Sequence, residues 1–474
     1  MAKLSINHDA LNRHVHGHPG SVFLAAGLGV LVIFLPLPLG GVLEIARVIL
    51  AGTMVVLFLV FWAFTSRSDK VYSLRARLWI LPWLILSVFI AMHIALPVRW
   101  LPSGWHVYSQ AVIEQLGPDL RLSPSAIASV TYWATFSLYW VAAWVVSTLS
   151  RKGVRVLLWL IFSATVFQAL LGLTFLVQKQ DLIPWLLFFG GEGSVWDSFG
   201  KAKFIPHARG SFYLYNHYAG FLSMSGLIVL AGIFSSRRTG GFTRRKGLQI
   251  VLGVLFAMII GMALLASRSR LGVLSGVVGG VLFAVLILRR ARGLESRWVA
   301  YAPWIALGVA LLAGLWFGID RLIERYLQLP DHTDRFQIWA ALFDLPLGVW
   351  VVGTGASSFL EVFKLVHPSG LAPSYWRAHN DWLQFVLEFG LLASLVVGLT
   401  MVWWFRRAAC HASGYSMLQL GALSALVVQS VHSLGDFDLQ IPGAALVFWV
   451  ALGLVANPHI AGRAHREKSF DQSP

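Results

Sequence analysis

The feature that most constrains the fold of this chain is a succession of about twelve long apolar segments. An α-helix needs roughly 20 apolar residues to cross the hydrocarbon core of a bilayer. The segments run at 21–38, 43–64, 78–98, 125–149, 154–177, 212–234, 248–266, 270–288, 299–317, 381–405, 414–432 and 442–456. Backbone groups in lipid must find hydrogen bonds within the protein, and helices satisfy them locally. We therefore predict an all-α, polytopic membrane protein with about 12 transmembrane helices.

The distribution of charge supports this class of protein and predicts its orientation. Only 12% of the residues are charged, against about 25% in a soluble domain. The basic residues concentrate in loops that alternate with the apolar segments, among them SRSDKVYSLRAR, SRKGVR, SSRRTGGFTRRK and RRARGLESR. The positive-inside rule places these loops and both termini in the cytoplasm. The net charge of +16 is thus explained by topology and does not indicate a nucleic-acid partner.

The same reading divides the chain into five parts. We expect a cytoplasmic N-terminus at 1–20, helices 1–9 within 21–317, a periplasmic loop at 318–380, helices 10–12 within 381–456 and a cytoplasmic tail at 457–474. In the long loop, IERYLQL, DRFQIWAALFD and SSFLEVFKLV have the spacing of short amphipathic helices. A helical cap over the outer face is therefore expected. The single cysteine, Cys410, excludes an internal disulfide framework.

Polar residues stand at the head of the tenth segment, in RAHNDWLQFVLEFGLL. Asn380 or Asp381 is a plausible N-cap, and Asp381 with Gln384 resembles a capping box. His379 is not explained in this way. It lies where a substrate headgroup would be, and a neutral imidazole there can accept a proton from a sugar hydroxyl. Glu388, about two turns further in, is expected to support structure rather than chemistry.

Two arginines occupy the tight turn between the seventh and eighth segments. Arg268 and Arg270 in LLASRSRLGVLSG must both lie at the outer membrane boundary, because the turn is only a few residues long. Guanidinium groups form bidentate pairs with phosphate. The pair suits a lipid-linked diphosphate, although anchoring to lipid headgroups would also explain it.

Two further stretches carry candidate binding residues on the outer side. Arg335 and Trp339 in DRFQIW are four residues apart, so a helix would present them on one face, as an ordinary amphipathic helix also would. The stretch RGSFYLYNHYAGFL places Arg209, Asn216 and His217 at the mouth of the sixth segment. There they could bind sugar hydroxyls or cap a helix.

These motifs together resemble the O-antigen ligase and polymerase superfamily. The resemblance rests on N-H-Y-A-G at 216–220, S-R-S-R at 267–270, R-x-x-x-W at 335–339, G-T-G at 353–355 and H-N-D-W-L-Q-x-x-x-E-x-G at 379–390. It covers mainly residues of about 205–395, which we take as the expected core. Ser394 departs from the ligase pattern, which has Gly, Thr or Tyr at that position.

The resemblance implies a membrane glycosyltransferase of the GT-C type in the bacterial inner membrane, with a periplasmic active site. Its donor would be a glycan on undecaprenyl diphosphate. The acceptor would be the lipid A-core in a ligase, or a second lipid-linked glycan in a polymerase. The essential arginines and histidine of the family map onto Arg335, His379 and the pair Arg268 and Arg270, within which the equivalent arginine is left open.

Departure of a diphosphate builds negative charge, which preorganised cations or a metal ion must stabilise. Apart from DFD at 436–438, the outer loops contain no compact Asp-x-Asp motif that could hold such a metal ion. We therefore expect arginines to stabilise the diphosphate, with no metal and no cofactor. Attack by the acceptor hydroxyl opposite the diphosphate would invert the anomeric carbon. The expected substrate-binding residues are Arg209, Asn216, His217, Trp339, Asn380 and Asp381.

Two other functions are alternatives to the ligase. A polysaccharide polymerase of the same fold fits every motif. A transporter of the same lipid would favour inverted repeats and helices broken near the bilayer midplane. The sequence shows polar residues clustered at one face and no repeat, which favours an enzyme.

Overall fold

The protein is helical throughout the described part of the chain. The computed structural model describes residues 19–65, 70–108, 120–178, 207–235, 244–291, 333–369, 371, 375–410 and 414–461. Within these ranges no strand forms, and β-pairing is limited to isolated bridges that join Leu39 to Phe212 and Pro97 to Arg121. The all-α prediction is therefore confirmed for the described residues.

The described α-helices follow the predicted order of segments. They are α1 (Pro19–Phe34), α2 (Glu44–Thr65), α3 (Lys70–Ala95), α4 (Ala126–Thr148), α5 (Arg151–Gln178), α6 (Tyr215–Ile233), α7 (Arg244–Ser267), α8 (Arg270–Ala291), α9 (Thr333–Phe343), α10 (Leu347–Val352), α11 (Phe359–Leu365), α12 (Asp381–Cys410), α13 (Met417–His432) and α14 (Pro442–Ala456). Each predicted segment except the ninth, 299–317, falls on one of them, and the ninth lies outside the described residues.

Membrane-spanning character is shown for part of this set. Six of the described helices are long and apolar enough to cross a bilayer, and four further apolar helices are shorter. This supports a multi-pass membrane protein, whereas the total of twelve spans stays a prediction. Helix α3 begins at Lys70, inside the stretch that we expected to be a basic loop.

Helix α6 is the centre of the bundle. It packs against α5, α7, α8, α13 and α14. The share of its span that is buried is 78%, against 22–39% for the other five long spans. Its sequence YNHYAGFLSMSGLIVLAGI is rich in small residues, which let helix backbones approach closely in the absence of a hydrophobic driving force.

Helix α12 is broken, which the continuous apolar pattern did not predict. Gly390 has φ 76° and ψ 166°, so regular helix hydrogen bonding is interrupted there. The glycine-rich turn after α10 fills the gap: Thr354 N donates to Leu387 O at 2.9 Å, and Gly355 N donates to Glu388 O at 2.9 Å. The break is therefore stabilised by backbone groups that would otherwise lack partners.

The described part of the long loop that we predicted at 318–380 contains two of the three predicted amphipathic helices. DRFQIWAALF forms most of α9, and FLEVFKL forms α11. The third stretch, IERYLQL, lies outside the described residues. Helix α10, in LGVWVV, was not predicted. The two confirmed helices bury apolar residues such as Ile338, Phe359 and Phe363 in a small core of their own, beside the start of α12.

Candidate functional site

The candidate residues converge at one end of the bundle, where α6, α8 and α12 begin and α7 and α13 end. Two backbone contacts bring these ends together. Ala208 N donates to Ala266 O at 3.1 Å, which joins the stretch before α6 to the turn between α7 and α8. Asp381 N, at the start of α12, donates to Ser433 O and Asp436 O at 3.0 Å each. The second contact is with residues 433–441, which we call the DFD loop.

His379 immediately precedes α12 in an uncommon backbone conformation. Its φ is 51°, in the left-handed region that residues with a side chain rarely adopt and that clusters at functional sites. The imidazole lies edge-on to Phe437 of the DFD loop, with ring centroids 4.8 Å apart, and faces Tyr375 at 6.2 Å. Trp339 of α9 fixes the neighbouring backbone, since its Nε1 donates to Ala378 O at 2.7 Å.

The surroundings of His379 keep its imidazole neutral. Burial and the nearby positive charge of Arg335 lower its pKa from 6.5 to about 4. The negative charge of Asp436 opposes this shift but does not outweigh it. A neutral imidazole at physiological pH can accept a proton or orient a hydroxyl, as the sequence predicted.

Arg335, in the first turn of α9, reaches across to the DFD loop. Its Nη1 donates to Gly435 O at 2.6 Å. Gly435 also faces α8: a Cβ added there would lie 3.0 Å from Leu271 Cδ2 and 3.9 Å from Arg335 Nη1. Leu271 directly follows Arg270, so the guanidinium of Arg335 and the start of α8 meet at the same glycine.

Arg268 and Arg270 flank a tight turn, as predicted. Arg268 has φ 55°, and Ser269 caps α8 because its Oγ accepts from Gly272 N at 3.1 Å. Arg270 is the first residue of α8. Both side chains are half-buried at the same end of the bundle as His379.

The structure selects Asn380 from the two residues predicted as the N-cap of α12. Asn380 is the N-cap, since its Oδ1 accepts from Leu383 N at 2.9 Å. The expected capping box of Asp381 and Gln384 does not form. Asp381 accepts instead from Ser433 Oγ, Leu439 N and Gln440 Nε2, each at 3.0 Å. Asp381 therefore clamps the DFD loop onto α12, and both its oxygens are already occupied.

Three other predicted binding residues also have contacts within the protein. His217 is buried, and its Nδ1 lies 2.5 Å from Asp438 Oδ1, so it does not lie open at the mouth of the sixth segment. Arg209 Nη1 donates to Tyr213 O at 3.3 Å. The indole N–H of Trp339 is taken by Ala378, although its ring is only half-buried. Asn216 lies in the first turn of α6 and does not cap it, because the N-cap is Leu214.

Sequence reasoning missed a buried cluster of two histidines and two aspartates. His432 at the end of α13 lies 3.6 Å from Asp436 and 3.5 Å from Asp438 of the DFD loop. Burial alone would raise the pKa of Asp436, but the neighbouring His217, His432 and Arg335 lower it below its usual value. The signals in the sequence were the DFD motif and the i, i+4 spacing in HSLGD, and neither indicates this cluster without the fold.

Glu388 has the structural role that we expected. Its carboxylate accepts from Ser357 N at 2.7 Å, Phe359 N at 3.3 Å and Gln384 Nε2 at 2.8 Å. The glycine-rich turn at 353–358 is therefore pinned to α12. The N–H groups of Thr354, Gly355 and Ser357 all donate to residues of α12.

A large apolar cavity opens beside the start of α12. Its volume is about 1960 Å³, and its walls come from α2, α3, α4, α12, α13 and α14. Most of the lining is apolar or aromatic, as at Phe89, Trp140 and Phe385. Arg47, in the first turn of α2, and Arg377, four residues before α12, lie in the lining as well. The cavity thus combines a mostly apolar lining with two arginines and two carboxylates, Asp381 and Glu388.

Comparison with known proteins supports the resemblance drawn from the motifs. Residues 254–398 match the family model Wzy_C, described as O-Antigen ligase. The matched range contains the turn of Arg268 and Arg270, together with Arg335 and His379, whereas N-H-Y-A-G at 216–220 lies outside it. No curated protein and no solved structure matches the chain. Residues 254–398 of this chain are therefore similar to the O-antigen ligase family, in agreement with the resemblance drawn from the motifs.

Proposed function

We propose that this protein is a periplasm-facing glycosyltransferase of the O-antigen ligase type. It moves a glycan from undecaprenyl diphosphate to a sugar hydroxyl of the lipid A-core. The observation that carries the proposal is the joint placement of Arg335 and His379, both within the matched range 254–398. Arg335 binds Gly435 O, and His379 lies against Phe437 two residues further along the same loop.

The charges of these residues fit the steps of the reaction. The acceptor hydroxyl attacks the anomeric carbon from the face opposite the diphosphate, a new glycosidic C–O bond forms, and the C–O bond to the diphosphate breaks with inversion. The proton of the hydroxyl passes to the neutral imidazole of His379. Arg335 with Arg268 or Arg270 stabilises the leaving diphosphate, so no metal ion is required at the phosphates.

The cavity supports a lipid-linked substrate. Its apolar walls suit a polyprenyl or acyl chain, and Arg47 and Arg377 suit the attached phosphate. Such a substrate would enter sideways from the membrane rather than from water. In this proposal the chain lies in the bacterial inner membrane, both termini are cytoplasmic and the site end of the bundle is periplasmic.

Purified protein incubated with a lipid-linked glycan and each candidate acceptor tests the proposal. Transfer to the lipid A-core supports a ligase. Growth of the lipid-linked glycan without that acceptor supports a polymerase, the alternative that fits the same residues. Movement of the glycan lipid across a sealed vesicle without formation of any new bond would support a transporter, for which the break at Gly390 is the one favourable feature.

A further inference from the structure

The buried histidine–aspartate cluster lies beside the proposed active site and has no part in the proposed reaction. It consists of His217 from α6, His432 from α13, and Asp436 and Asp438 from the DFD loop. None of the four is more than 1% exposed. Four ionisable side chains from three elements meet in a volume from which the surrounding helices exclude bulk solvent. Such groups are costly to bury unless each is paired or bound to a cation.

The contacts within the cluster leave several ligand atoms without hydrogen bonds. His217 Nδ1 bonds Asp438 Oδ1 and lies 3.8 Å from Asp436 Oδ1. His432 Nε2, Asp436 Oδ2 and Asp438 Oδ2 are all buried and have no hydrogen-bond partner among the described residues. These three atoms nevertheless face one another: the imidazole nitrogen lies 3.6 Å from the first oxygen and 3.5 Å from the second.

These separations have a simple geometric meaning. They are longer than an N–H···O hydrogen bond, for which about 2.7–3.2 Å is usual. Two ligands each about 2.0–2.1 Å from a tetrahedral zinc ion are about 3.4 Å apart. One ligand atom from each of His217, Asp436 and Asp438 also lies within 4.8 Å of the other two. The arrangement is therefore that of ligands around a shared cation.

We propose that His217, His432, Asp436 and Asp438 form a binding site for one divalent transition-metal ion, with Zn²⁺ as the best fit. Two imidazole nitrogens favour zinc and its neighbours over magnesium or calcium, which prefer oxygen ligands. Two carboxylates neutralise the two positive charges of the ion. The ion joins α6, α13 and the DFD loop, and thereby holds the loop to which Arg335 and His379 are attached.

The ion is separate from the transfer chemistry. The ring of Phe437 packs edge-on against both His217 of the cluster and His379 of the proposed active site, with centroid distances of 4.7 and 4.8 Å. The site is therefore structural, and it does not replace the arginines at the diphosphate.

Helix α6 makes room for the site at Gly220. A Cβ added to this residue would overlap Oδ2 of Asp438. Any side chain at position 220 would displace the carboxylate that approaches both histidines. Gly220 and His217, the glycine and the histidine of N-H-Y-A-G, thus both contribute to the proposed metal site.

Metal content of the full-length protein tests the proposal without any glycan substrate. The protein is prepared without an affinity tag of histidines, stripped of metal, dialysed against Zn²⁺ or Co²⁺ and analysed for bound metal. His14, His16 and His18 near the N-terminus could bind metal on their own. They are replaced by glutamine in the background used for every sample, and unsubstituted protein is measured in parallel.

We expect one equivalent of metal per chain and, with Co²⁺, the intense visible absorption of a tetrahedral site. Asp438→Asn, Asp436→Asn and His432→Gln should each weaken binding by at least about tenfold. His93→Gln and Asp344→Asn are matched controls and should bind as the parent does. His93 is buried with only backbone partners, Phe89 O and Val352 O, and Asp344 is exposed.

Two results would overturn the proposal. One is less than a tenth of an equivalent of metal in the folded parent protein. The other is binding that the cluster variants retain in full, which would identify an adventitious ion only. If one variant does not fold, the proposal is still tested by the metal stoichiometry of the parent protein, by its Co²⁺ spectrum and by the remaining variants. Failure of glycan transfer would leave these measurements unchanged, so the two proposals are tested separately.

Discussion

In the proposed reaction, Arg335 and His379 act at different stages of glycan transfer. A guanidinium binds phosphate in the ground state, whereas a base acts on the acceptor hydroxyl during transfer. We predict that Arg335→Ala weakens binding of the lipid-diphosphate donor and that Arg335→Lys stays impaired, because lysine lacks the bidentate fork. His379→Ala should bind donor almost normally yet lose about 10²–10⁴-fold in turnover. Donor affinity and turnover of each variant in nanodiscs provide the comparison.

Arg99 supplies the control for this experiment. It is an exposed arginine on the same side of the proposed membrane, and none of the contacts described for the candidate site involves it. Arg99→Ala should leave both donor affinity and turnover unchanged. If His379→Ala lost donor binding while Arg335→Ala kept it, the two roles would have to be exchanged.

The lowered pKa of His379 predicts an unusual pH profile. An ordinary histidine base loses activity as the pH falls through about 6.5. Burial and Arg335 lower the pKa of His379 to about 4, so its imidazole remains unprotonated well below neutrality. We expect kcat/KM to stay level from about pH 7 to about pH 5 and to fall only as the pH approaches 4. An acid limb near pH 6.5, in protein shown to be folded at each pH, would contradict this assignment.

At the scale of single elements, the break in α12 depends on one glycine. Gly390 has φ 76°, and a Cβ there would lie 2.7 Å from Val352 O and closer still to Val351 O. We predict that Gly390→Ala lowers stability by at least about 1–2 kcal/mol, since a left-handed conformation disfavours a side chain. The midpoint of thermal unfolding in detergent measures the change.

The same helix contains its own control. A Cβ added to Gly398 would have no heavy atom of another segment within 4 Å, and the φ of this residue is not positive. Gly398→Ala should be neutral or stabilising by up to about 1 kcal/mol, because glycine is unfavourable inside a helix. Equal destabilisation by the two substitutions would mean that the break is not needed for the fold.

At the scale of the whole molecule, the cavity makes a prediction about substrate entry. Thr131 of α4 lines the cavity, whereas Ile127, one turn away, is 82% exposed and does not. Thr131→Trp should raise the KM for the lipid-linked substrate with little change in stability, because it fills part of the apolar volume. Ile127→Trp should leave KM unchanged. Steady-state kinetics of the two variants shows whether the lipid-linked substrate occupies the cavity, because only then does Thr131→Trp raise KM more than Ile127→Trp does.

Topology gives the second prediction at this scale. The loop SSRRTGGFTRRK carries five basic residues and should lie in the cytoplasm with both termini. A cysteine introduced there, in a Cys410→Ser background, should react with membrane-impermeant reagents only after the membrane is broken. Labelling of this loop in intact cells would contradict the twelve-span arrangement.

The sequence by itself determined the class of the protein and the identity of its candidate residues. Apolar length predicts helices because each span must satisfy its own backbone in lipid, and α1 to α8 and α12 to α14 follow the predicted segments. The motifs around Arg335 and His379 were sufficient to indicate a resemblance to the O-antigen ligase family, which the match over 254–398 supports. These inferences succeed because they depend on local pattern and composition.

The tertiary structure alone decided what those residues contact. His217 and Asp438 are 221 positions apart in sequence, and no local pattern predicts that they bond. The roles of Asp381 and Gly390 likewise depend on segments that fold back from elsewhere, the DFD loop for one and the end of α10 for the other. Side chains of the same type can cap a helix, bind a substrate or hold a loop, and the choice is made by the partners that packing brings within hydrogen-bond distance.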